Sequence, residues 1–196
     1  MSDSQIVIKR ETKETNIKLT LDLEKRGDIS IDTTLPFFDH MLYAMAFHGG
    51  FSLTIEASGD TDVDDHHLVE DTGLVLGTAF FQAFEKFSPL ARYGHFRVPM
   101  DDALADVTID ACNRPYLVYN VDYPQERSGQ FDMYLFKEFF QAFVSNSRIN
   151  LHINCPYGDN SHHLSEAIFK ACGRALKESF TRISSKSGNL STKGLL

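Results

Sequence analysis

The chain is predicted to be an α+β fold of two internally duplicated βββαβα halves, with helices on one face of each sheet and a pseudo-two-fold relating the halves. Three observations predict it. Short segments with strand periodicity, interrupted by helical patterns, recur in the same order in both halves of the sequence. Two near-copies, Asp65-His66-His67-Leu68-Val69-Glu70-Asp71 and Ser161-His162-His163-Leu164-Ser165-Glu166-Ala167, stand about half a chain apart. Each copy opens a helical pattern after a strand and a polar loop.

The elements follow in order. Residues 5–24 alternate in two bursts, Ile6/Ile8 and then Ile17/Leu19/Leu21/Leu23, which is strand periodicity. Lys25-Arg26-Gly27-Asp28 signals a turn, and 29–34 resumes as a strand. Pro36 opens a helix bearing Phe38, Met41, Leu42, Met45 and Ala46, closed at Gly49-Gly50. Phe51, Leu53 and Ile55 alternate again. An acidic loop over 58–64 then leads to a helix that Asp64 or Asp65 caps and that runs to about Phe87. Beyond Ser88-Pro89 the pattern repeats, with strands over 95–99, 105–111 and 116–123. A helix is expected over 130–146, bearing Phe131, Leu135, Phe136, Phe139, Phe140 and Phe143. A strand through Ile149, Leu151 and Ile153 precedes a loop over 155–160, and the second histidine helix runs to about Phe180. The expected organisation is one domain over 1–196, with halves at about 1–88 and 89–182. The tail 183–196, rich in Ser, Lys, Gly and Asn, is expected to be loop.

Composition narrows the function. With 196 residues, the chain is long enough to bury a sizeable core. A formal charge of −8 argues against a nucleic-acid partner, which requires a basic face. No apolar run approaches the ~18 residues of a membrane span, and residues 1–10 carry no signal-peptide pattern. Three cysteines, Cys112, Cys155 and Cys172, show no CxxC spacing and read as reduced thiols of a cytoplasmic protein, placed in the core.

The histidines carry the chemistry. At about 100° per residue, two adjacent helical histidines point in different directions and do not readily share one ion. His66 and Glu70, like His162 and Glu166, are four apart and about 40° from one another around the helix. Each motif is therefore expected to give a His and a Glu to one metal and its other His, His67 or His163, to a second; pairing through His67 and Glu70 is also geometrically possible. His40 sits in an apolar helical stretch and His152 on the polar face of a strand. Six histidines and two glutamates over two ions give three His and one Glu each, a nitrogen-rich set suited to Mn, Fe, Co or Zn rather than Mg or Ca. Recurrence at half-chain spacing favours this over a solvated helix face. His48 and His95 read as ordinary surface or hydrogen-bonded histidines. Asp62, Asp64, Asp65 and Asp71 are expected to cap the helix or orient ligand imidazoles. Arg92, Arg114 and the Ser191-Thr192-Lys193-Gly194 run are suited to a phosphate.

These residues bring the sequence into resemblance with the imidazoleglycerol-phosphate dehydratase family along essentially its whole length. The matching stretches are Arg10 to Thr15, Phe38-Asp39-His40-Met41-Leu42, Asp64-Asp65-His66-His67 with Glu70-Asp71, Arg92-Tyr93-Gly94, Pro99-Met100-Asp101-Asp102 and Arg114-Pro115. To these are added Leu151-His152-Ile153, Gly158 to His163 with Glu166-Ala167, and the Ser191 to Gly194 run. Departures are Cys112-Asn113 where the family often has Ser-Gly, and Ala44 where it often has Gln. The resemblance implies dehydration of D-erythro-imidazoleglycerol phosphate to imidazole acetol phosphate in histidine biosynthesis. It also implies a homo-24-mer whose sites are shared between subunits. It implies two Mn²⁺ ions held by His40, His66, His67, His152, His162, His163, Glu70 and Glu166, with Arg92, Arg114, Ser191 and Lys193 on the substrate phosphate. Glu14 is the favoured general base, with a metal-ordered carboxylate, Glu70 or Glu166, as the alternative. A dinuclear hydrolase and a metal-storage oligomer are the competing classes.

Overall fold

The computed structural model describes residues 4–183. The first half comprises β1 (Ile6–Glu11), β2 (Thr15–Asp22), β3 (Ile29–Asp32), α1 (Pro36–Gly49), β4 (Ser52–Gly59) and α2 (His66–Phe87). The second comprises β5 (Tyr93–Met100), β6 (Ala103–Asp110), β7 (Tyr116–Asn120), a small hairpin β8 (Arg127–Ser128) and β9 (Phe131–Asp132), α3 (Leu135–Ser147), β10 (Asn150–Tyr157) and α4 (Ser161–Ser179). The two sheets have the same order, β1-β2-β4-β3 and β5-β6-β10-β7. In each, three strands are antiparallel neighbours and the last pairing, β3 with β4 or β7 with β10, is parallel. The duplicated α+β fold read from the sequence is therefore the fold of the chain.

Alternation places the core. Ile17, Leu19 and Leu21 of β2 and Leu53 and Ile55 of β4 are buried on the inner face, as are Val107, Ile109, Leu151 and Ile153 of the second sheet. Helices cover those faces, and they pair across the halves: α2 packs along α3, and α1 along α4. A Cβ on Gly173 would sit 2.1 Å from the Met45 carbonyl oxygen, and one on Gly77 2.5 Å from that of Phe143. Only glycine permits either approach. Between the helices lies an aromatic cluster in which the Phe139 ring centroid is 5.3 Å from Phe38, 5.1 Å from Phe140 and 5.7 Å from Phe169. Truncating such a buried ring to alanine costs about 3–5 kcal/mol.

Local chemistry sets the helix ends that matter for the site. Pro36 occupies the first turn of α1, where its missing N–H is harmless. Gly50, at φ 68°, closes the helix with its N–H on Ala46 O at 2.9 Å. At the start of α2 the Asp64 side chain accepts the His66 N–H at 2.8 Å, so Asp64, not Asp65, is the capping group. At α4 the Asn160 side chain accepts from His162 N and His163 N at 2.8 and 3.3 Å.

Two element boundaries differ most from the sequence reading, the other strand ends shifting by one or two residues. The helix expected over 130–146 begins at Leu135, because Gly129 at φ 61° turns a hairpin first. Phe131 kept helical spacing only because its ring, from β9, packs on Phe38 and Phe136 at 5.9 and 4.8 Å. The strand expected to reach Tyr123 ends at Asn120, where pairing with Asn154 of β10 stops. Cys112 and Cys172 are buried, Cys155 only partly. Among the described residues no helix is long and apolar enough to cross a membrane.

Candidate metal centre

Because α1 lies along α4, His40 reaches the start of the second histidine helix. Its Nε2 lies 3.3 Å from Glu166 Oε1, and His162 Nε2 lies 3.0 Å from the same oxygen. Among the described residues, His40, His162 and Glu166 form a group whose ligand atoms all lie within 4.8 Å of one another. On the other side of the carboxylate, Lys170 Nζ is 2.5 Å from Glu166 Oε2. Burial works against the charged carboxylate, but hydrogen bonds from Lys170, His162 and His40 outweigh it and hold its pKa down at about 2. Two imidazole nitrogens and an ionised carboxylate converging in this way fit a divalent transition metal.

The remaining expected ligands lie elsewhere. His66 Nε2 is 3.4 Å from Glu70 Oε2, one turn further along α2. His67 turns away from His66, with ring planes at 90°, and its Nδ1 is 3.1 Å from Asp60 Oδ1 and 4.0 Å from Glu14 Oε2. His163 likewise diverges from His162, its Nδ1 2.5 Å from Asp102 Oδ1 and its Nε2 3.7 Å from Asp101 Oδ2. The hydrogen bond to the Asp60 carboxylate raises the pKa of His67, and that to Asp102 raises the pKa of His163. The Asp102 carboxyl is pulled down to about 2, chiefly by His163 and, against some desolvation, by the backbone N–H groups of Asp159 and Asn160. Such a carboxylate is a poor proton acceptor.

His152 is exposed on the outer face of the second sheet, its ring 6.4 Å from that of Tyr116. It pairs with Thr108 of β6 and Val118 of β7. Two residues along β6 from Thr108 lies Asp110, which binds Arg92 through Nε at 2.7 Å and Nη2 at 3.1 Å. Arg114 Nη2 lies 3.9 Å from the same carboxylate. Arg92 adopts φ 73° and its guanidinium lies 4.8 Å from the Tyr93 ring centroid. Beside them Asn113 adopts φ 59°, a conformation that its short amide side chain tolerates and glycine adopts freely. Ser191 and Lys193 lie outside the described residues.

Sequence reading missed several functional contacts. Asp71 orients no imidazole. It accepts from Thr15 Oγ1 at 2.5 Å and Arg10 Nη2 at 3.0 Å, tying α2 to the first sheet. The carboxylates that meet His67 and His163 are Asp60 and Asp102, which come from loops next to strand ends; Asp60 stands in the acidic loop before α2 but was not among the aspartates singled out there. Their signals were present, a Gly-Asp step at Gly59-Asp60 and an acidic turn at Asp101-Asp102, but neither has helical spacing to the histidine. Lys170, four residues after Glu166, was legible from helix periodicity alone.

The chain is similar to known proteins along most of its length. The family model described as imidazoleglycerol-phosphate dehydratase matches residues 33–176. The imidazoleglycerol-phosphate dehydratase of Trichlorobacter lovleyi is 52% identical over 189 residues, covering 96% of this chain and 97% of the relative. That of Pelobacter propionicus is 53% identical over 190 residues, with the same coverage. The crystal structure of the Staphylococcus aureus enzyme superposes with a TM-score of 0.84 at 38% identity, covering 91% of this chain and 99% of that one. The Pyrococcus furiosus enzyme, solved in complex with (S)-C348, gives the same TM-score at 36% identity, covering 96% of this chain and 100% of that one. The chain belongs to the imidazoleglycerol-phosphate dehydratase family, hydro-lyases of histidine biosynthesis.

Proposed function

We propose that the chain converts D-erythro-imidazoleglycerol phosphate to imidazole acetol phosphate and water with two Mn²⁺ ions per active site, in a homo-oligomer, a 24-mer, whose sites are shared between copies. The observation that carries the reading is the convergence of His40, His162 and Glu166 on one small volume. The metal ligands are these three together with His66, Glu70, His67, His163 and His152. When bound, the ions would supply Lewis acidity to the substrate's imidazole ring.

The chain's own groups do the rest. Glu14, 57% exposed and 4.0 Å from His67 Nδ1, takes the carbon-bound proton. That proton and the hydroxyl on the ring-adjacent carbon together leave as one water, and the enol left behind rearranges to the ketone. Arg92 and Arg114, joined by Ser191 and Lys193, hold the phosphate by charge-assisted hydrogen bonds, with Asp110 fixing the two guanidinium groups.

Distance supports the sharing of sites. His152 and the Arg92–Asp110–Arg114 cluster lie toward the start of β10, whereas His162 follows its end. At about 3.3 Å per residue, His152 is on the order of 16 Å from the end of that strand, too far for one ion to be bound at both places. Residues of a second copy complete the set. The three cysteines form no disulfide, which fits a reducing cytoplasm.

The test is to follow substrate and inorganic phosphate together. Dehydration predicts loss of imidazoleglycerol phosphate with one ketone formed per substrate and no phosphate released. Phosphate release without ketone would instead identify a dinuclear hydrolase, and metal binding without turnover a storage protein.

A further inference from the structure

The second histidine of each pair meets a carboxylate, yet the halves draw that carboxylate from different places. Two loops lie side by side in each half. One ends at the residue before the second strand, Glu14 before β2 or Asp102 before β6. The other begins after a glycine, Asp60 after Gly59 at the end of β4, or Asp159 after Gly158 just past β10. In both halves an N–H of the second loop reaches the first, onto the main-chain carbonyl of Glu14 in one and the side-chain carboxylate of Asp102 in the other. Asp60 N donates to Glu14 O at 3.0 Å, and Asp159 N to Asp102 Oδ2 at 2.6 Å.

The side chains break this correspondence. In the first half it is Asp60 whose two oxygens lie 3.1 and 3.2 Å from His67 Nδ1, while Glu14 stands off at 4.0 Å. In the second half it is Asp102 that lies 2.5 Å from His163 Nδ1, its other oxygen also accepting Asn160 N at 2.9 Å. Asp159, the counterpart of Asp60, is exposed and takes part through its backbone, its carbonyl accepting from Gln125 Nε2 at 3.0 Å.

We propose that Asp60 and Asp102 are positioning residues of exchanged origin, each accepting a hydrogen bond from the Nδ1–H of its histidine and presenting that ring's Nε2 to a metal, and that the exchange leaves the Glu14 carboxylate for proton transfer. The proposal rests on the metal-dependent reading above. A carboxylate on one imidazole nitrogen fixes the tautomer and ring orientation and raises the basicity of the other nitrogen. Had the first half used the second half's solution, Glu14 would be locked as Asp102 is. Asp102, bound by one imidazole and two backbone N–H groups, has no freedom to shuttle a proton.

The experiment compares the wild-type protein with Asp60→Asn, Asp102→Asn and Glu14→Gln, each stripped of metal and titrated with Mn²⁺ by calorimetry, then assayed at low and at excess Mn²⁺. Both asparagine variants should bind Mn²⁺ about 10–100-fold more weakly and recover turnover in excess Mn²⁺. Glu14→Gln should bind Mn²⁺ within about twofold of wild type and stay inactive at any Mn²⁺ concentration, because a proton acceptor and not a ligand has been lost. Asparagine at 102 still offers an oxygen to the loop N–H groups, and Asp60→Asn tests the same idea at a carboxylate that meets His67 and not the loop backbone. Wild-type affinity in both asparagine variants overturns the inference, as does weakened binding in Glu14→Gln. A wild-type chain that binds no Mn²⁺ overturns the metal-dependent reading and the inference with it.

Discussion

The two HHxxE motifs are alike in sequence and unlike in their surroundings. Glu166 is 12% exposed and is gripped by His162, by His40 from α1 and by Lys170. Glu70 is 47% exposed, and the ion pair described for it is with His66 at 3.4 Å. The helix pairing explains the contrast. Met45 of α1 meets Gly173 of α4 as Phe143 of α3 meets Gly77 of α2. His40 precedes Met45 by the same interval that Glu138 precedes Phe143, so the position that supplies an imidazole to one site supplies a half-buried carboxylate in the other half. Likewise Lys170 follows Glu166 by one turn where Leu74 follows Glu70. Duplication gave both halves the same scaffold, and among the described residues only the second HHxxE motif, with His40 of α1, belongs to a preassembled three-ligand group.

The strongest attack on this contrast is to remove Glu166. Glu166→Ala should cost about 10³-fold in kcat/KM, the several kcal/mol that a Lewis acid contributes, and lower the metal found per chain by elemental analysis. Retention of full metal and activity would dissolve the distinction between the halves. Next comes Lys170→Met, expected to weaken metal binding at that site by about 10–100-fold, with Lys170→Arg recovering part of the loss; Leu74→Met should leave affinity unchanged. Calorimetric titration of all three distinguishes a held carboxylate from a merely crowded one. Gly173→Ala and Gly77→Ala should each destabilise by about 1–3 kcal/mol in thermal unfolding, because a methyl cannot fit against the facing carbonyl. Only Gly173→Ala should also reduce metal affinity, since it displaces the helix that carries His40. The smallest effect is expected at the caps. Asp64→Ala and Asn160→Ala should each cost about 1 kcal/mol in denaturant unfolding, with Asn160, which accepts two N–H groups, the costlier of the two.

Much of this was legible in the sequence because it depends on local periodicity. Alternation in Ile17 to Leu23 and in Leu151 to Ile153 gave the strands, and the spacing of His162 to Glu166 gave the shared helix face. The hairpin before α3 was not legible, since Phe131 holds a helical interval by accident of where β9 packs. Nor were the partners of His67 and His163, because Asp60 and Asp102 reach them across loops whose proximity is set by strand pairing. The cross-half placement of His40 on α4 is a tertiary fact with no local signature, although the apolar run around His40 marked it as out of place on a helix otherwise built for the core.

The central claim is that the histidines of one chain serve more than one active site. Two inactive variants, His152→Ala and Glu166→Ala, co-assembled from mixed, unfolded or dissociated chains, test it most directly. In a shared site, His152 and Glu166 come from different copies. Random mixing at equal amounts should then restore about a quarter of wild-type turnover, because some sites draw both intact residues. Turnover that stays at the level of the separate variants, in assemblies shown to contain both chains, would contradict the account.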